Sequence, residues 1–335
     1  MALSMFGLFA VTPPIAPLLW FALTLALLFS GFSFLTISFY AQGVTKAANL
    51  GEGGHVRLAG WRETGALLGV SLAAVAPVLL IASDAPFTVF ASAFALITVI
   101  AIIAMRNEWD ASKVKTDSGF RVILADPLAK RLLLIALVNA MPVAVSSTLF
   151  LFFVERRLEA PGWEGPLLLL FFLAAACSAP LWSRIALIIG PKSTLFAAMI
   201  LALAAFSGAL LLGPGDVTPF LVICIASGFA MGADLTLLPA LFAARAAEVS
   251  PEASSGFGLW SFVSKLSLAF AAVALLPLLE ASGFTTGSDP LTDQAAFTLT
   301  AMYAGLPCAL KLVALTLLAT TSLNEDATSP NMKEA

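Results

Sequence analysis

What most constrains this chain is where its basic residues fall relative to its apolar runs. Nine long apolar stretches divide the sequence, at about 15–41, 63–83, 85–105, 132–154, 165–188, 193–213, 217–242, 257–280 and 296–322. Each approaches the ~20 residues with which a helix crosses ~30 Å of hydrocarbon. If consecutive connections alternate between two sides, one side collects Lys46, Arg57, Arg62, Arg106, Lys113, Lys115, Arg121, Lys130, Arg131, Arg184, Lys192, Arg245 and Lys333. The other side receives only Arg156 and Arg157, while Lys265 and Lys311 fall inside spans. Loops rich in Lys and Arg stay cytoplasmic, so this asymmetry predicts an all-α polytopic transmembrane bundle, N-terminus outside and C-terminus in the cytoplasm.

Composition agrees and excludes several chemistries. Hydrophobic residues make up 60% of the chain and charged ones 11%, which places it in the membrane class. The net charge of −3 points to no partner, and no basic run suggests nucleic acid. Cys177, Cys224 and Cys308 fall in separate spans and read as small apolar packing residues. His55 is the sole histidine, and the spans hold neither paired catalytic acids nor a cofactor motif. The chain therefore reads as a non-enzyme without a cofactor, whose partners are the lipid bilayer and a small-molecule solute. Nothing in the sequence speaks to oligomeric state.

The division along the chain is three spans, a break, then six. Residues 106–131 are charged and read as a cytoplasmic linker, with a short surface-lying helix around Arg121–Ala125. Residues 1–105 form a partial N-terminal bundle of three spans, 132–322 a six-helix bundle, and 323–335 a cytoplasmic tail. The leading MALSMFGLFAVT is too short to span and lacks signal-peptide features. Very short connections at 83–86 and 189–193 make the helices they join antiparallel neighbours.

Charges inside hydrocarbon cost roughly 2.5–3.5 kcal/mol each on insertion scales, so they mark partners or water-filled paths. Lys265 and Asp234 each lie about nine residues from the cytoplasmic end of consecutive spans, ~13 Å deep at 1.5 Å per residue. Equal depth on antiparallel helices makes them candidates for a buried ion pair; the alternative is a snorkelling Lys265 beside an Asp234 that caps a local kink. Lys311 sits near mid-bilayer, with no acid in its own span to pair with. Asn139, Pro142 and Ser146 form one polar stripe, and Ser33, Thr36 and Tyr40 another. Such stripes either glue helices together or line a cavity. Gly65/Gly69 and Gly228/Gly232 have the spacing of close helix packing.

Five segments, in order, resemble a known family. ISFYAQGV at 37–44 and RLAGWRETGALLGV at 57–70 are similar to the fourth and fifth helices of the glycoside–pentoside–hexuronide:cation symporters, a branch of the major facilitator superfamily that includes melibiose permeases. SAPLWSRIALIIGPKSTLF at 178–196 resembles the turn from that family's eighth helix to its ninth. GADLTLLPALFAARAAEV at 232–249 and GFGLWSFVSKLSLAFA at 256–271 resemble its tenth and eleventh helices. The resemblance runs from about residue 12 to 322 and implies inverted three-helix repeats around a central cavity, working by alternating access. It aligns Leu8–Pro14 with the end of the third helix, which implies that helices one, two and most of three are missing.

Lys265 matches a lysine that the family carries near its cation and substrate path. Departures accompany the matches: Thr36 stands where melibiose permeases carry a sugar-binding Asp, Val70 where an arginine is expected, and Arg245 where an acid is expected. GEGGHVR at 51–57 keeps only Arg57 of its loop motif. The expectation is a secondary transporter of the inner membrane, coupled to H⁺ or Na⁺, for a sugar or an amphipathic compound. Its solute or ion path would run along Thr36, Tyr40, Asn139, Asp234, Lys265 and Lys311. The alternative is a non-transporting or truncated scaffold or assembly protein that keeps the fold.

Overall fold

Helices account for nearly all of the chain in a computed structural model, which describes residues 1–80, 83–108, 119–249, 253–281 and 292–322; no strand occurs among them. The first helices are α1 (Ala2–Phe9), α2 (Pro17–Ala48), α3 (Gly54–Leu79) and α4 (Pro86–Met105). A short α5 (Gly119–Ala125) precedes α6 (Pro127–Phe152), which widens into a π turn at Phe153–Arg157. Then come α7 (Glu164–Ile189), α8 (Pro191–Ser207), α9 (Val217–Val249), α10 (Ala253–Ala281) and α11 (Asp293–Thr300). A second π turn at Ala301–Gly305 leads into α12 (Leu306–Ala319). Pro17, Pro86, Pro127 and Pro191 open their helices in the first turn, where a missing N–H leaves no ladder bond unmade.

Eight helical segments among the described residues are long and apolar enough to cross a bilayer. The ninth expected span, 63–83, falls on α3 and differs from expectation. That helix begins at Gly54 and carries His55, Arg57, Arg62 and Glu63 in its first turns, so its N-terminal part is polar. The apolar run alone could not show this, because the polar turns are held by partners on other helices. The most apolar windows of α6 and α9 are each 50% buried, against 6% for those of α2 and α4, so the former pair forms the centre of the bundle. The exposed apolar faces of α2 and α4 suit contact with lipid tails.

Two apolar layers build the interior. One joins Leu132 and Ile135 of α6, Leu195 of α8, Phe242 of α9 and Leu318 of α12. The other joins Leu149, Phe153, Phe220 and Leu299, and in it the two π turns meet: the rings of Phe153 and Tyr303 stack with centroids 4.0 Å apart. Helices α7 and α9 approach at Gly228 and Gly232, as their spacing predicts. A Cβ at Gly228 would lie 2.3 Å from the Phe171 carbonyl oxygen, and one at Gly232 would lie 2.1 Å from Ser178 Oγ. Gly65 and Gly69 differ: nothing lies within 4 Å of a Cβ built at either, and the close approach of α3 is instead at Gly60, 2.1 Å from Ser183 Oγ.

The expected linker is shorter than 106–131, because α6 already begins at Pro127. Asp126 caps it, accepting from the Ala129 N–H at 2.7 Å, and is held by Arg245 of α9 through Nε at 3.0 Å and Nη2 at 2.6 Å. The short helix expected near Arg121–Ala125 is α5, but it buries Ile123 completely in the first apolar layer. Residues 109–118 of the expected linker, and the expected tail at 323–335, lie outside the described residues.

Candidate functional site

At the seam between the two apolar layers, three polar side chains from three helices converge. Lys311 of α12 donates through Nζ to Oδ1 of Asn139 on α6 at 2.7 Å and to Oδ2 of Asp234 on α9. Relative exposure is 6% for Lys311, 9% for Asp234 and 5% for Asn139, so the ion pair is sealed from solvent. Burying a charge is tolerated when it is paired and hydrogen-bonded, and Lys311 meets both conditions. Asp234 meets them only in part: its Oδ1 is buried and accepts no hydrogen bond from the described residues.

The ion pair expected between Asp234 and Lys265 does not form. Lys265 is exposed on α10 and donates to Ser33 Oγ on α2. Depth along a helix does not fix which way a side chain points around it. The principal neighbours of α9 are α7 and α8, whereas α10 packs chiefly on α6 and α2. Asp234 meets instead the long side chain of Lys311, on α12, which packs on α6 and α8.

Tyr40 and Thr36 lie apart from this triad. The Tyr40 hydroxyl donates to Glu63 Oε1 at 2.9 Å, its ring carries the Arg62 guanidinium at 3.6 Å from its centroid, and it packs on Phe257 of α10 at 5.0 Å. Arg62 Nε donates to the same Glu63 oxygen at 2.9 Å. Arg62 had been assigned to a cytoplasmic connection; it sits inside α3 in a buried cluster. Glu63, which is 7% exposed, was missed altogether. The only sequence signal was an Arg–Glu pair at the edge of an apolar run. Thr36 donates to the Phe32 carbonyl of its own helix at 2.8 Å.

A cavity of about 140 Å³ opens beside the triad, enclosed by α6, α7, α8, α9 and α12 with the second π turn. Its walls are mainly apolar, with several aromatic rings among them, and Asp234 and Lys311 supply its charged groups. Pro142 and Ser146, two members of the polar stripe read on α6, lie on its wall, while Asn139 holds Lys311 behind it. Among the described residues no three His, Cys, Asp or Glu side chains gather to hold a metal ion.

Described residues that are almost entirely helical, eight segments among them able to cross a bilayer, and a buried ion pair between α9 and α12 define a multi-pass membrane protein with a polar centre inside its bundle. Residues 1–325 match the family described as MFS/sugar transport protein, and the chain belongs to that family. No curated protein matches the chain.

Proposed function

We propose that this protein is a proton-coupled secondary transporter of the cytoplasmic membrane, and that Asp234 is its proton-binding group. The observation that carries the reading is the triad. An ion pair inside hydrocarbon is expensive and is commonly tied to an ion or proton path. Family membership supplies the wider class, a transporter working by alternating access. A proton taken up by Asp234 cancels the attraction to Lys311, leaves the ammonium with only Asn139, and thereby loosens the tie between α9 and α12. Lys265 with Ser33, and the ring of Tyr40 with that of Phe257, join α10 to α2 and are contacts that movement between the two parts of the chain would make and break. The basic-residue asymmetry supports an outside N-terminus and a cytoplasmic C-terminus.

The test is uptake into liposomes under an imposed pH gradient or an imposed Na⁺ gradient, with a panel of sugars and small amphipathic solutes. Accumulation driven by the pH gradient and abolished by Asp234→Asn is expected. Accumulation driven by Na⁺ alone would replace the coupling ion. Absence of gradient-driven flux across the whole panel would overturn the transporter reading in favour of a scaffold.

A further inference from the structure

The chemistry of the cavity beside the triad selects its occupant. It lies within the bundle of α6 to α9 and α12, and none of its lining residues comes from α2, α3 or α4. Its volume, about 140 Å³, is close to the ~150 Å³ that takes up one benzene ring in a protein cavity. Phe150, Phe171, Phe206 and Phe220 form its walls. Its serines are largely spent: Ser146 Oγ donates to the Pro142 carbonyl at 2.8 Å and Ser227 Oγ to the Ile223 carbonyl at 2.6 Å. A sugar placed there would bury hydroxyls against phenyl rings with few partners, at roughly 1–3 kcal/mol for each one left unmatched.

One group on the wall does lack a partner. Asp234 is nine-tenths buried, and its Oδ1 accepts nothing from the described residues. The terminal torsion of an aspartate is soft, so this oxygen turns readily toward a donor in the cavity. A donor is what Asp234 Oδ1 lacks, and Asp234 and Asn139 take two of the three N–H groups of Lys311, which leaves one for the oxygen of a hydroxyl that donates to Oδ1. We propose that this cavity is a binding site for a small, single-ring lipophilic molecule carrying one hydrogen-bond donor, of the phenol or benzylic amine class, with the ring among the phenylalanines and the donor on Asp234 Oδ1. This deepens the transporter reading by naming a solute class, and rests on it only for the claim that the bound molecule is also carried.

The experiment is equilibrium binding to the full chain in lipid nanodiscs, with phenol and toluene as probes and glucose as a third. The two aromatics have the same ring and nearly the same size, and only phenol donates. Saturable binding of phenol at least tenfold tighter than toluene is expected, since a hydrogen bond to a charged acceptor is worth about that much or more. The double variant Asp234→Leu/Lys311→Met removes the acceptor without stranding a charge; it should still bind toluene and lose the preference for phenol. A second variant, Ser227→Phe, fills the cavity and should abolish both. Equal affinity for phenol and toluene, tighter binding of glucose, or an unchanged preference in the double variant would overturn the proposal. If either variant fails to fold, the phenol-to-toluene ratio on the unaltered protein decides alone. Binding without gradient-driven phenol uptake would sink transport of this class and leave the site standing; gradient-driven sugar uptake without phenol binding would do the reverse.

Discussion

Taking apart the buried pair of Asp234 and Lys311 tests both the packing and the mechanism. In Lys311→Met the side chain keeps its length, but Asp234 loses its only observed donor and Asn139 Oδ1 loses a bond of 2.7 Å. In Asp234→Leu an ammonium 6% exposed is left with a single amide oxygen. Each change strands a charge, which costs about 3–5 kcal/mol, or roughly two to three and a half orders of magnitude in the folding equilibrium. The double variant strands neither charge. It should lie within about 1 kcal/mol of the unaltered protein, the residue being Asn139 left without its donor. Unfolding in mixed micelles titrated with SDS, followed by helical circular dichroism, reads all four corners of the cycle. Lys265→Met serves as the control: Lys265 is exposed, so its loss should cost under about 1 kcal/mol and add simply to that of Asp234→Leu. Additive losses for Asp234 with Lys311, or strong coupling of Asp234 with Lys265, would refute this geometry.

Three further outcomes follow from other contacts. Hydrogen bonds from Arg245 hold the Asp126 carboxyl below its ordinary value of 3.8, so its share of stability is present above that value and is lost as pH falls through the lower folded value. Melting temperatures should therefore differ most between the unaltered protein and Asp126→Asn near neutrality and converge as the pH falls below the ordinary carboxylate range; a gap that does not narrow on acidification would argue against the pairing. Gly228→Ala places a methyl 2.3 Å from a backbone carbonyl that cannot swing aside, so α7 and α9 must separate. Its folded yield should fall well below that of Gly65→Ala, which meets nothing within 4 Å, and equal yields would show that the contact is soft. In a background without the native cysteines, Pro161→Cys should react with an impermeant thiol reagent from outside the cell and Glu52→Cys only after permeabilisation; labelling of both from one side would reverse or break the proposed topology.

The class of fold was legible because hydrocarbon imposes a length and a polarity that a one-dimensional scan detects. Burial was legible for the same reason: Asp234 and Lys311 are charges within apolar runs, and both are buried among packed helices. Azimuth was not. A lysine on α10 and a lysine on α12 offer the same credentials to an aspartate on α9 until the packing shows that α10 turns toward α6 and α2. Tyr40 and Glu63, 23 residues apart, meet through tertiary contact alone, and Arg62 reads as a loop residue until the helix beneath it is seen to start at Gly54. The cavity had no sequence signature. Its phenylalanines come from four helices, α6 to α9, and Tyr303 reaches it from a π turn that no periodicity announces.

The position of the triad connects its charges to the shape of the helices that carry them. Asn139, Asp234 and Lys311 each lie within five residues of a proline on the same helix: Pro142, Pro239 and Pro307. A proline removes one rung of the helical ladder and weakens resistance to bending there. The π turn at Ala301–Gly305 adds a second irregularity just before Pro307 on the path to Lys311. Three helices are thus weakened locally at the level where an ion pair and an amide tie them together. In hydrocarbon the freed backbone groups find no water, so a bend is held only by what neighbouring helices supply. The strength of the tie then governs the bend. Loss of the tie would act where the backbone resists least, and the proposed proton uptake would in this way carry a local change of charge to the ends of helices more than thirty residues long, such as α9.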